Sequence, residues 1–233
     1  MRHATHSLGS ILLWVAGVLA SSLAGAQQAT IVGILEGNAP LVRQTTRYAL
    51  AEGMALNDQD IVETAAGAFA QIELPGGVLV GLGESTRVML RPHLAKGPSR
   101  RGAPEATTTT IPLYLLEGWL KTSSSGAFGY ASPAFEIATQ AATSVVHLAG
   151  AQYEVFLEGG TAKLTPREGG QGALQLAGGD FVQRREGTMP QVARRAGPEF
   201  LARLPRQFRD RLPAPAEQLA RRNVVPKPLG EIS

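Results

Sequence analysis

Cysteine is absent from all 233 residues. That excludes disulfide staples, thiolate zinc sites, iron–sulfur clusters, a cysteine nucleophile and a lipid-modified N-terminal cysteine. Histidine is scarce as well. Of the four present, His3 and His6 fall in the first ten residues, leaving His93 and His147, too few for a histidine metal cluster without carboxylates. Aromatic residues make up 6% and charged residues 18%. The 44% that is hydrophobic nevertheless supplies ample material for a core, so the chain is globular and not disordered. Its excess lies in 27 Gly and 15 Pro, above average usage for the pair, which marks a turn-rich protein.

The N-terminus is organised as a secretory signal. Residues Met1 to Ser10 carry Arg2, His3 and His6 and no acid, Ile11 to Ala20 form an apolar run, and Ala24-Gly25-Ala26 places small residues before Gln27. Cleavage after Ala26 is expected. A membrane span needs roughly 20 apolar residues, and Ser21-Ser22 interrupts this run early. Residues 1–26 are therefore read as a signal peptide and the mature chain as an exported, soluble protein.

From Ala29 onward apolar residues recur more often with period two than 3.6, in short runs bounded by Gly, Asp, Asn or Pro. The predicted strands are Thr30 to Glu36, Ile61 to Thr64, Ala68 to Leu74, Leu79 to Leu82, Arg87 to Arg91, Leu113 to Leu116, Trp119 to Thr122, Phe135 to Thr139, Ser144 to Leu148, Gln152 to Leu157, Thr161 to Thr165, Ala173 to Leu176 and Asp180 to Arg184. Such spacing fits an all-β fold of short strands: a β-sandwich, a barrel or a short β-solenoid. Tyr153 to Leu157 is apolar on both faces, which predicts a central strand. Pro75-Gly76-Gly77 between two apolar runs predicts a tight hairpin. Leu35-Glu36-Gly37, Leu116-Glu117-Gly118 and Leu157-Glu158-Gly159 each close an apolar run and are read as turns. Residues 92–110, rich in Pro, Gly, Thr and basic side chains, are expected to form a mobile loop within a β domain spanning 27–187.

Residues 188–233 form a basic, partly helical tail. Phe200, Leu201, Leu204, Phe208 and Leu212 recur at three and four, on one helical face, and Pro205 limits this to a kinked helix or two short ones. A second short helix is predicted over Ala216 to Arg222. Charge is divided unevenly: residues 181–233 hold 11 Lys and Arg against 5 acids, +6, whereas residues 27–180 hold 10 against 14, −4. Arg203, Arg206, Arg209 and Arg211 surround the apolar stripe and are the candidate partner-binding residues. Two arrangements remain open. Either the stripe packs on the β body with its arginines facing water, or the amphipathic tail docks on an acidic partner or the anionic surface of a membrane.

Chemistry-bearing patterns are few. His147 with Glu154 and Glu136 is the one conceivable metal set. Asp58 and Asp60 lack a third ligand at calcium-loop spacing. Ser123-Ser124-Ser125-Gly126 is no nucleophile elbow, and Gly81-Leu82-Gly83-Glu84-Ser85 is no phosphate loop. No catalytic residue, cofactor or metal is expected, and nucleic acid is excluded as a partner by the absence of aromatic interleaving in an exported chain. Tyr114, Trp119, Phe128 and Tyr130 cluster around a Ser/Gly-rich turn and are read as core, the alternative being a stacking surface for sugar.

The stretch Leu50-Ala51-Glu52-Gly53, then Asp60-Ile61-Val62-Glu63-Thr64-Ala65-Ala66-Gly67-Ala68 leading through Pro75-Gly76-Gly77 to Ser85-Thr86, resembles the FecR domain. Leu115-Leu116-Glu117-Gly118-Trp119-Leu120 and the aromatic-led Phe135 to Thr139 continue the likeness over roughly 29–187. The resemblance implies a periplasmic, non-catalytic all-β domain. Well-known members relay the state of an outer-membrane transporter, through a membrane helix, to a cytoplasmic sigma-factor-binding domain. Neither of those last two parts is expected in this chain. The expected function is therefore an exported interaction or scaffold module that binds an envelope protein, with a module for peptidoglycan or another polysaccharide as the alternative.

Overall fold

The computed structural model describes residues 29–91, 111–168, 172–214 and 224–231. The expected signal segment with cleavage after Ala26, the expected loop over 92–110 with His93, and the whole of the predicted helix 216–222 lie outside the described residues.

The fold is all-β, and the described residues form sixteen strands in one hydrogen-bonded network. The strands are β1 (Thr30–Glu36), β2 (Pro40–Arg43), β3 (Thr46–Ala49), β4 (Ala55–Leu56), β5 (Ile61–Glu63), β6 (Phe69–Leu74), β7 (Val78–Leu82), β8 (Arg87–Leu90), β9 (Leu113–Ser123), β10 (Ala127–Ala131), β11 (Phe135–Ala149), β12 (Gln152–Pro166), β13 (Leu174–Ala177), β14 (Phe181–Arg184), β15 (Gln191–Ala193) and β16 (Lys227–Glu231). The predicted hairpin is present: Leu74 pairs with Val78 across Pro75-Gly76-Gly77, with both glycines at positive φ.

Three strands are longer than the period-two runs predicted. Leu113 to Leu116 and Trp119 to Thr122 are one strand, β9, and the next two pairs of runs merge into β11 and β12, each of 15 residues. Each long strand bends in the middle. Gly118 sits at φ +95 within β9, Ala141 at φ +45 within β11, and Gly160 at φ +81 within β12. A side chain at Gly118 would run into the backbone of Thr86, and one at Gly160 into Ala141 and Ala142. Two of the three Leu-Glu-Gly repeats therefore lie at bends inside strands, the left-handed glycine being Gly118 itself in one and Gly160, just after the repeat, in the other; such a glycine turns the strand without ending its ladder. Only Leu35-Glu36-Gly37 ends a strand.

The bends fold the network into two layers. The first half of β9 pairs with β8, and the second half with β7 and β11. Along β12, Tyr153 to Phe156 pair with β14 and Thr161 to Leu164 with β13. One layer thus runs β16, β3, β2, β5, β8, β9, β10, β11, β12, β13; the other runs β4, β1, β6, β7, β9, β11, β12, β14, β15. Between them lies an aliphatic core that includes Val32, Leu41, Val62, Ile72, Val80, Leu115, Val146 and Val155. The second layer is apolar on both faces, as Tyr153 to Leu157 forecast. Its outer side carries Phe69, Leu79, Trp119, Val145 and Phe181.

The tail covers that outer side. Helix α1 (Pro198–Arg203) gives way to an extended Leu204-Pro205 and a single 3-10 turn over Arg206–Phe208. The proline forces its predecessor out of the helical region, so the stripe spans two short helical pieces. Phe200, Leu204, Phe208 and Leu212 are all buried against the second layer.

Candidate interaction surface

Two buried polar side chains pin the tail to the sheet. Lys121, 1% exposed, donates from Nζ to the carbonyls of Phe208 (2.8 Å) and Asp210 (3.0 Å) and pairs with Glu158 Oε1 at 2.9 Å. All three of its protons are used, which is the condition for burying an ammonium. Gln71, fully buried, donates from Nε2 to the carbonyl of Pro213 at 3.0 Å, while its Oε1 has no partner. Beside them the sheet is shaved down. A Cβ at Gly81 would stand 2.9 Å from a Leu212 methyl, and one at Gly83 would stand 2.8 Å from Trp119 Cβ and 2.9 Å from the Pro205 ring.

Phe200 sits against Trp119, Phe156 and Phe181, with ring centroids 5.6, 6.3 and 5.0 Å away. Trp119 in turn stacks on His147 at 4.2 Å. Glu154 lies beside them and accepts both Arg203 Nη2 contacts at 2.8 Å, Gln183 Nε2 at 3.1 Å and a longer contact from His147 Nδ1 at 3.4 Å. Burial raises the Glu154 carboxyl, but His147 and Arg203 together outweigh it and hold the group below the ordinary glutamate range.

The four candidate arginines are therefore not equivalent. Arg203 is committed to Glu154 and lies over the Trp119 ring at 6.0 Å. Arg206 makes only a 3.9 Å approach to Glu36. Arg209 and Arg211 are exposed and have no ion-pair partner among the described residues.

The other patterns resolve as structural. His147 and Glu154 are cross-strand neighbours, but Glu136 lies at the far end of β11, paired with Arg167. Among the described residues no three His, Asp or Glu side chains gather as metal ligands. Asp60 is buried, bound by Arg43 Nε (2.9 Å) and Nη2 (2.7 Å) and by the Asn57 amide, and this carboxylate raises the Arg43 guanidinium above its ordinary value. Trp119, Phe128 and Tyr130 are buried and offer sugar no platform, while Tyr114 is half-buried with the Arg167 guanidinium 5.7 Å from its ring centroid. Tyr130, raised by burial, joins Ser144 and Thr122 in a chain of hydroxyls. Lys121 and Gln71 carry no sequence signal, because a single polar residue in a strand ordinarily faces water and only the distant tail buries these two.

No family model matches the chain, and no curated protein matches it. Two crystal structures of a "putative anti-sigma factor" from Parabacteroides distasonis ATCC 8503, at 2.50 and 1.65 Å resolution, are similar to it with 13% and 14% identity, each at a TM-score of 0.47. The matches cover 61% of this chain and 62% and 63% of those chains, under two thirds of their length. At that identity and score the likeness assigns no role to any residue here.

Proposed function

We propose that the protein is a non-catalytic interaction module, a single FecR-like domain exported to the periplasm, that binds an envelope protein and serves signalling there. The observation that carries this reading is the docked tail. Phe200, Leu204, Phe208 and Leu212 and the carbonyls of Phe208, Asp210 and Pro213 are taken up by the sheet, while Arg206, Arg209 and Arg211 stand outside, Arg209 and Arg211 with no ion-pair partner among the described residues. A fixed cationic surface on a body of opposite net charge selects an acidic partner and speeds its encounter.

Cross-linking in intact cells tests it, comparing the wild type with an Arg206→Glu, Arg209→Glu, Arg211→Glu variant. The expected result is one defined envelope protein captured by the wild type and lost from the variant at an unchanged melting temperature. Equal capture by both, or none by either, contradicts the reading. The mass of the exported protein tests its address: a start at Gln27 supports export with cleavage, and an intact Met1 overturns it.

A further inference from the structure

We propose that β15 is a docking edge to which an acidic, extended segment of a partner protein adds as a further strand; the proposal rests on the module reading above and specifies the partner's chemistry. Among the described residues β15 has a single neighbour, β14, and ends the strand order on its side. At the other end, β16 is blunted against further pairing by Lys227, Pro228 and a register irregularity between Pro228 and Gly230. Gln191-Val192-Ala193 has no proline, no charge and no bulge. All three residues are exposed, and Val192 at 49% and nearby Met189 at 60% are among the few large apolar side chains left in water.

Charge decides what this edge selects. Arg185, Arg194 and Arg195 flank it, all exposed, against one exposed acid, Glu186, and among the described residues only Arg194 forms an ion pair, with Asp180, while remaining 88% exposed itself. A second copy of β15 would bring the same arginines together, so self-pairing is disfavoured. One strand inward, across from Gln191, lies Gln183. It borders a cleft of about 180 Å³ with His147, Gln152, Arg185 and Arg203, whose one acid, Glu154, is already held by Arg203 and Gln183. An acidic strand on β15 would gain main-chain hydrogen bonds from the edge and ion pairs from the arginines, the division of labour seen when peptides extend sheets.

The test is binding of a short dye-labelled peptide alternating Glu and Val at low ionic strength, read by anisotropy, with hydrogen exchange over 191–193. Amides of adjacent residues in a strand face opposite sides, so Val192→Pro and Ala193→Pro divide the roles. The variant that keeps the wild-type melting temperature is the one whose amide faced outward, and it is expected to bind at least about tenfold more weakly. Arg194→Glu with Arg195→Glu is expected to weaken binding and flatten its salt dependence. Absence of wild-type binding, or full affinity in the melting-neutral proline variant, overturns the proposal. If the peptide fails while an envelope protein is still captured through Arg206, Arg209 and Arg211, the edge is wrong and the module reading stands; failure of both retires both.

Discussion

The two cores of this protein are built differently. Between the layers, aliphatic side chains come mostly from strands joined by short connections, and hairpins such as β6–β7 and β11–β12 assemble much of it locally. Outside the second layer the core is aromatic and is closed by a segment far away in sequence. Gln71 meets Pro213 across 142 residues, and Lys121 meets Phe208 across 87. The first core is sealed by backbone ladders, the second by side chains gripping carbonyls. The difference teaches that the tail is part of the fold, yet is held by a small set of contacts that can be broken one at a time.

The largest expected effects come from emptying either core. Phe135→Ala and Phe208→Ala, both at fully buried rings, are each expected to cost about 3–5 kcal/mol in urea unfolding. They should part in native-state hydrogen exchange: Phe135→Ala lowers protection across both layers, whereas Phe208→Ala strips residues 198–213 first. Next is Lys121→Met, which strands Glu158 and two tail carbonyls at a cost of about 3 kcal/mol. Gly83→Ala presses on Trp119 and Pro205 and is expected to cost about 1–3 kcal/mol, visible as faster proteolysis of the tail with little change in the layers.

pH sharpens the contrast with a smaller effect. Glu154 has a carboxyl depressed in the fold, so the unfolded chain binds that proton more readily. Its contribution is present above the ordinary glutamate range and is lost as pH falls through the depressed value. Acid should therefore loosen the tail by about 1 kcal/mol, since Arg203 is half exposed, and Glu154→Gln should remove that dependence. Tyr153, in the inter-layer core, is pushed up to about 12 by burial. The folded phenol keeps its proton beyond the roughly 10 of an unfolded tyrosine, so its contribution is full below that pH and fades as pH rises through about 12. Alkali thus weakens the first core and acid the second. Tyr153→Phe, whose hydroxyl has no partner, should leave neutral-pH stability nearly unchanged while blunting the alkaline loss.

Most of the layers were legible in the sequence because period-two runs report burial directly, and every predicted run lies on a strand. Several features were not, among them the short β4 and β15. The bends at Gly118 and Gly160 look like turns locally, since a left-handed glycine serves either purpose, and only the partner strand's continuation separates them. β2 and β3 are four residues each, too short to show a period, and Gly129 inside β10 reads as a turn. β16 contains Pro228 and Gly230, residues that argue against a strand anywhere but at an edge. Of the predicted stripe, Phe200, Leu204, Phe208 and Leu212 do share one buried face, though its target was not legible, whereas Leu201 is 43% exposed because the break at Leu204-Pro205 leaves only a short helix to orient it. Of the candidate arginines, sequence grouped four alike, and the structure separates Arg203, a structural clamp, from Arg209 and Arg211.

Hydrogen exchange of the wild-type backbone over 198–213 tests the docked tail most directly. The amides of Leu201, Leu204 and Phe208 donate to Gly197, Leu201 and Pro205 in single turns too short to persist alone. If the tail is packed as described, these amides are protected well beyond an isolated peptide of the same sequence, and Lys121→Met removes much of that protection. Exchange at the free-peptide rate in the wild type, with the strands still protected, would show a loose basic arm and contradict the account.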